Sequence, residues 1–174
     1  EYQNNNFQNL FGKAKGGTNL QAGLLEAKNL LENNIQTEDK ETALKYVVVM
    51  SDGEPTFYNK EQSSCPNGEY YEGYPNVCGY GSSTSRITLE KTLSAAKSIK
   101  DGGATIFSIG YSLKSDKVYT GDYTYNGETI KNAKLTTKDI LTKVATEDTE
   151  GSITHCIEAK EGETGGSIVD AFKE

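Results

Sequence analysis

The sequence predicts an α/β fold, a doubly wound and mostly parallel sheet with helices on both faces. Three observations predict it. Tyr46-Val47-Val48-Val49-Met50 is a continuous apolar, β-branched run, the mark of a strand buried on both faces. Amphipathic helical periods stand before and after it, and a second apolar run, Ala104 to Gly110, follows the second helix. Helix and strand in alternation build layered α/β sheets through right-handed crossovers.

The elements follow in order. Leu20, Leu24, Ala27 and Leu31 fall at helical spacing, with Thr18 placed to cap the start and Asn33-Asn34 to end the helix. After the polar Glu38-Asp39-Lys40-Glu41 comes the strand at Tyr46, which ends in Ser51-Asp52-Gly53-Glu54-Pro55. In such sheets ligands bind beyond the carboxyl ends of strands, so a carboxylate leaving this strand stands where metal or substrate work is done. A Tyr- and Gly-rich insertion occupies about residues 56–85. Leu89, Leu93, Ala96 and Ile99 then mark the second helix, stopped by Asp101-Gly102-Gly103 ahead of the Ala104–Gly110 strand. A second insertion spans about 112–134 and is expected to hold a hairpin around Tyr125-Asn126-Gly127. Helix resumes after Thr137 with Ile140, Leu141 and Val144 inward; a strand near Ile153–Ala159 and a helix near Ser167–Lys173 close the chain. All 174 residues read as one domain.

Composition narrows the function. A net charge of -7 with mixed signs offers no basic stripe for phosphates, which argues against nucleic acid, and no stretch nears the ~20 apolar residues of a membrane span. There is no GxxxxGK[ST] loop and no GxSxG elbow, and the lone His155 cannot easily pair with Cys156 because neighbours on a strand face opposite ways. No catalytic residue is assigned. Cys65 and Cys78 bracket a Gly-, Pro- and Asn-rich stretch, a spacing that suits a disulfide and an oxidising compartment; two free thiols in a cytosolic loop is the competing reading. Cys156 is read as a small buried strand residue.

Gly16-Gly17-Thr18-Asn19 before a helix, Val47 through Pro55, and Ala104 through Gly110 together resemble the von Willebrand factor A-type (VWA) family. Residues 140–145 and 168–172 are similar to that family's last two helices, so the likeness spans nearly all but the two insertions. It implies a Rossmann-like sheet and a metal-ion-dependent adhesion site built from an Asp-x-Ser-x-Ser loop, a Thr and an Asp. The Thr matches Thr18 and the Asp matches Asp52. Hydroxyl and carboxylate oxygens suit hard Mg²⁺, with Mn²⁺ or Ca²⁺ as alternatives. Asp-x-Ser-x-Ser does not occur in these residues, so the resemblance implies that a segment ahead of Glu1 carries the first strand and that loop. The sheet is then incomplete at its N-terminal side.

Each residue keeps a plainer alternative. Thr18 caps its helix, Asp52 initiates a turn, and Glu54 is a solvated turn residue rather than a ligand contact. Tyr58, Tyr70, Tyr71, Tyr74 and Tyr80 either pack the insertion onto the domain or serve as rigid amphipathic contacts on a binding surface. The inserted arms and the Lys-, Asn-, Glu- and Tyr-rich, Trp-free composition are similar to the tip adhesins of Gram-positive pili. The expectation is therefore a non-enzymatic adhesion module on the bacterial cell wall or pilus, binding a host or matrix protein through a divalent cation. The alternatives are a structural fibre domain with a vestigial site, and an intracellular VWA subunit of an assembly or chelatase machine with free thiols at Cys65 and Cys78.

Overall fold

The computed structural model describes residues 17–33, 42–62, 64–66, 76–113, 116–147 and 155–159. Along the chain run α1 (Leu20–Asn33), β1 (Tyr46–Ser51), β2 (Phe57–Asn59), β3 (Val77–Gly79), α2 (Arg86–Asp101), β4 (Thr105–Tyr111), β5 (Lys117–Tyr125), β6 (Glu128–Thr136), α3 (Thr137–Val144) and β7 (Cys156–Ala159). The helix–strand alternation read from the sequence is present through β7. The closing helix expected near Ser167–Lys173 lies outside the described residues.

β1, β4 and β7 form one parallel sheet in the order β1-β4-β7, with Val47 beside Ile106 and Ser108 beside Cys156. Its core side carries Val47 and Ile106, packed against Leu24 of α1, Leu89, Leu93, Ala96 and Ile99 of α2, and Ile140 and Val144 of α3. Parity along β1 sorts its side chains: Val49 joins the same cluster, while Tyr46, Val48 and Met50 turn to the other face. Helices covering both faces, as the doubly wound expectation requires, are not shown among the described residues. What is established is a mixed α/β fold with a three-stranded parallel sheet and two small antiparallel pairs.

Local chemistry explains the boundaries. Ser85 caps α2, its hydroxyl accepting from the Thr88 N–H at 3.1 Å, and Gly103 supplies the left-handed turn after the helix with φ of 79°. Thr136 and Asp139 form a reciprocal capping box at the start of α3. The Asp139 carboxyl is held below the usual range, first by the Thr136 backbone N–H.

The second insertion is built as the Asn-Gly signal predicts. Asn126 and Gly127 take φ of 53° and 80°, two positive values that match a type I′ turn and the twist of the paired strands β5 and β6. The hairpin is anchored in the main core, which the sequence did not show: Tyr119, Tyr123 and Leu135 are buried in the same cluster as Leu89 and Leu93. Tyr119 and Tyr123 meet edge to face with centroids 6.1 Å apart. The first insertion holds the short pair β2–β3, closed by the disulfide Cys65–Cys78. Cys156 stands outside this disulfide, half-buried on β7.

The disulfide spans 13 positions within the first insertion, so by the chain-entropy argument it contributes on the order of 3 kcal/mol, mostly local to the insertion. Reduction is expected to loosen β2–β3 while the melt of the α/β core shifts less. Peptide mapping that finds Cys65 or Cys78 joined to Cys156, or free in protein prepared without reductant, contradicts this pairing.

Candidate functional site

Thr18 and Asp52 belong to different segments, and the fold brings Thr18 against the turn that follows β1. The Thr18 carbonyl accepts from the backbone N–H groups of Thr56 and Phe57 at 2.9 and 3.0 Å, so the turn before α1 is stitched to the chain just after β1. A Cβ placed on Gly53 would lie 3.5 Å from the Thr18 hydroxyl oxygen, which puts that hydroxyl against the turn bearing Asp52. The turn is shaped by Ser51, whose hydroxyl donates to the Gly53 carbonyl at 2.9 Å and accepts from its N–H at 3.3 Å. Asp52 has an exposed side chain, and its turn is fixed by Ser51 rather than by its own carboxylate.

The plainer reading of Thr18 is corrected. The capping side chain is that of Asn19, whose Oδ1 accepts from the Ala22 N–H at 3.0 Å. Asn19 also donates through Nδ2 to the Asn59 side-chain oxygen at 3.0 Å, and the buried Gln21 side chain accepts from the Asn59 N–H at 2.7 Å. Helix start and β2 are therefore joined through side chains as well as backbone. Thr and Asn are both good caps and stand next to each other, so the sequence could not place the boundary within one residue.

Glu54 has a positioning role. Its Oε2 accepts from the Thr84 N–H at 3.1 Å and the Thr84 hydroxyl at 2.9 Å, pinning the loop before α2 to the Asp52 turn. Tyr58, for which packing and ligand contact were both open, is 3% exposed and packs the insertion onto the domain. Tyr80 is exposed. Tyr70, Tyr71 and Tyr74 lie outside the described residues.

Asp52, Gly53 and Glu54 form one end of an open cleft of about 470 Å³, whose other walls include Ser82, Ser83, Asp116 and Thr137. A second cleft, about 600 Å³, is lined by Tyr80, Arg86 and Asp122 among others. There the Asp122 carboxyl is held low by its ion pair with Lys131 and then by the Asn132 N–H, while burial raises Tyr119. Ser82, Ser83, Asp116 and Thr137 were not singled out from the sequence, because no spacing rule links a loop, a hairpin base and a helix start.

The Thr18 hydroxyl lies against the turn that bears Asp52, and hydroxyl and carboxylate oxygens are donors of the kind a hard divalent cation takes. Among the described residues no group of three or more His, Cys, Asp or Glu side chains is placed to hold a metal.

The backbone that holds Thr18 leaves little room. Gly79 has φ of 137°, and a Cβ there would overlap the Thr56 carbonyl. Gly79→Ala is expected to destabilise the protein by about 2 kcal/mol, from backbone strain plus the clash. A urea midpoint equal to that of the wild type would show that β2–β3 relaxes around the methyl group without loss.

No family model matches the chain, and no curated protein matches it. Among solved structures it is similar to the pilus adhesin SpaC from Lactobacillus rhamnosus GG. One crystal structure of that protein aligns at 20% identity over 83% of this chain and 17% of its own, with a TM-score of 0.50. Its open conformation aligns at 19% identity over 95% of this chain and 20% of its own, with a TM-score of 0.53. The chain spans about a fifth of the length of the structures it matches. At this identity the likeness is one of fold, and the fold is that of part of a pilus adhesin.

Proposed function

We propose that this chain is part of a bacterial surface or pilus adhesin, and that it binds a host or extracellular-matrix protein through a divalent cation, Mg²⁺ by preference, held in part by Thr18 and Asp52. One observation carries the reading. Asn19 takes over the helix cap, and the Thr18 hydroxyl stands against the Asp52 turn at the carboxyl end of β1. The reading is VWA-like in the use of a Thr and an Asp from separate loops, and it is non-enzymatic. The likeness of fold to a pilus adhesin supports the cell-surface setting, as does the closed Cys65–Cys78 bridge, where the intracellular reading expected free thiols.

When bound, the cation would accept a carboxylate or other oxygen from the partner protein into its shell. The residues of this chain do the rest: Ser51 shapes the Asp52 turn, Glu54 ties the Thr84 loop to it, and the clefts beyond Asp52 give room for an extended ligand. The remaining donors would come from water and from a segment outside the described residues, the one expected to carry Asp-x-Ser-x-Ser.

A structural fibre domain with a vestigial site is the second reading, favoured by the incomplete donor set among the described residues. Thermal melts of the full-length protein in millimolar Mg²⁺ or Mn²⁺ decide between them. A cation at 100 times its Kd stabilises by about 2.7 kcal/mol, so the adhesion reading expects a rise in Tm that chelator reverses. No shift at any concentration leaves the structural role.

A further inference from the structure

We infer that Thr56 is a positioning residue of the cation site, acting through Thr18. The inference rests on the metal reading above and goes beyond it, because nothing in the sequence pattern singles out Thr56. The Thr56 side chain is buried, and its Oγ1 accepts from the Thr18 N–H at 2.9 Å. In return the Thr56 and Phe57 N–H groups donate to the Thr18 carbonyl. Both backbone polar groups of Thr18 are therefore held by two consecutive residues of one strand entry. A residue whose backbone is held at both its N–H and its C=O leaves its side chain little freedom except rotation about χ1.

Two further contacts stiffen this clamp. Gly17 takes φ of 99°, and a Cβ there would strike the Phe57 ring, so the chain approaches Thr56 and Phe57 as closely as backbone can. On the other side Gly79 lets β3 close over the Thr56 carbonyl. The disulfide-closed pair β2–β3 thus backs the residue that holds Thr18, which gives the first insertion a part in the site rather than only at its rim.

The test is Mn²⁺ titration by calorimetry on the full-length protein, comparing wild type, Thr56→Val, Thr56→Ser and Asp52→Ala. Valine keeps the volume and the backbone bonds and removes the acceptor of the Thr18 N–H. We expect Thr56→Val to bind Mn²⁺ about tenfold more weakly while keeping a cooperative melt in chelator, and Thr56→Ser to bind within about twofold of wild type, since the hydroxyl is restored. Asp52-dependent binding that Thr56→Val leaves unchanged overturns the inference and spares the metal reading. Absence of Mn²⁺ binding by the wild type overturns both. A fold-independent check is hydrogen exchange in the wild-type protein: the Thr18 amide is expected to be protected, and exchange at the rate of an open loop would show that the clamp does not exist.

Discussion

Asp52→Ala in the full-length protein is expected to weaken Mn²⁺ or Mg²⁺ binding by at least about 100-fold and to abolish cation-dependent adhesion, while the fold survives. The size follows from charge. Losing a partner that merely orients a metal ligand already reduces affinity 10- to 100-fold, and removing a charged ligand takes away the donor itself. Survival of the fold follows from position. The Asp52 side chain is exposed, and the turn is fixed by the Ser51 hydroxyl bridging to Gly53. The variant should melt in chelator like the wild type and should lose the rise in Tm that cation gives. An unchanged Kd in a protein shown folded by circular dichroism would refute the assignment of Asp52.

This experiment separates a ligand from a turn residue, which the sequence could not do. Ser-Asp-Gly at a strand end is good turn chemistry whether or not a cation is present. What resolved in the structure is the neighbour: Thr18, 34 positions earlier, is brought to the same turn by backbone bonds to Thr56 and Phe57. Contacts of that kind depend on how β2 docks on the start of α1, and no local periodicity encodes docking. The strongly periodic elements were legible because burial itself imposes the period. Leu89, Leu93, Ile99, Ile140, Leu141 and Val144, read as inward from spacing alone, are nearly or fully buried. The hairpin was legible because Asn-Gly admits few backbone geometries. Its anchoring was not, since Tyr119 and Tyr123 alternate with polar neighbours in a pattern that suits an exposed ribbon equally well.

Expressed alone, residues 1–174 are expected to self-associate rather than to form a monomer with a cooperative melt, because β1 is an apolar edge. It pairs with β4 on one side and with no strand on the other among the described residues. The Lys45 carbonyl accepts from the Thr105 N–H at 2.9 Å and so faces β4. By the alternation of a strand, the N–H and C=O groups of Tyr46, Val48 and Met50 face the open edge. The same three side chains are 56%, 48% and 54% exposed, on the sheet face opposite Val47. Native sheets blunt such edges with charge, proline or cover, and Tyr46–Ser51 carries no charge and no proline. We propose that a strand from outside the described residues pairs here and brings the absent metal loop with it, so that one segment would complete both sheet and site. Two measurements test this. The amides of Tyr46, Val48 and Met50 should be protected from exchange in the full-length protein and open in the isolated chain. Val48→Lys should raise the solubility of the isolated chain, where it adds a charge beside a bare edge. A soluble monomer of residues 1–174 with those three amides already protected would show that the sheet closes within these residues, and the completing strand would have to be abandoned.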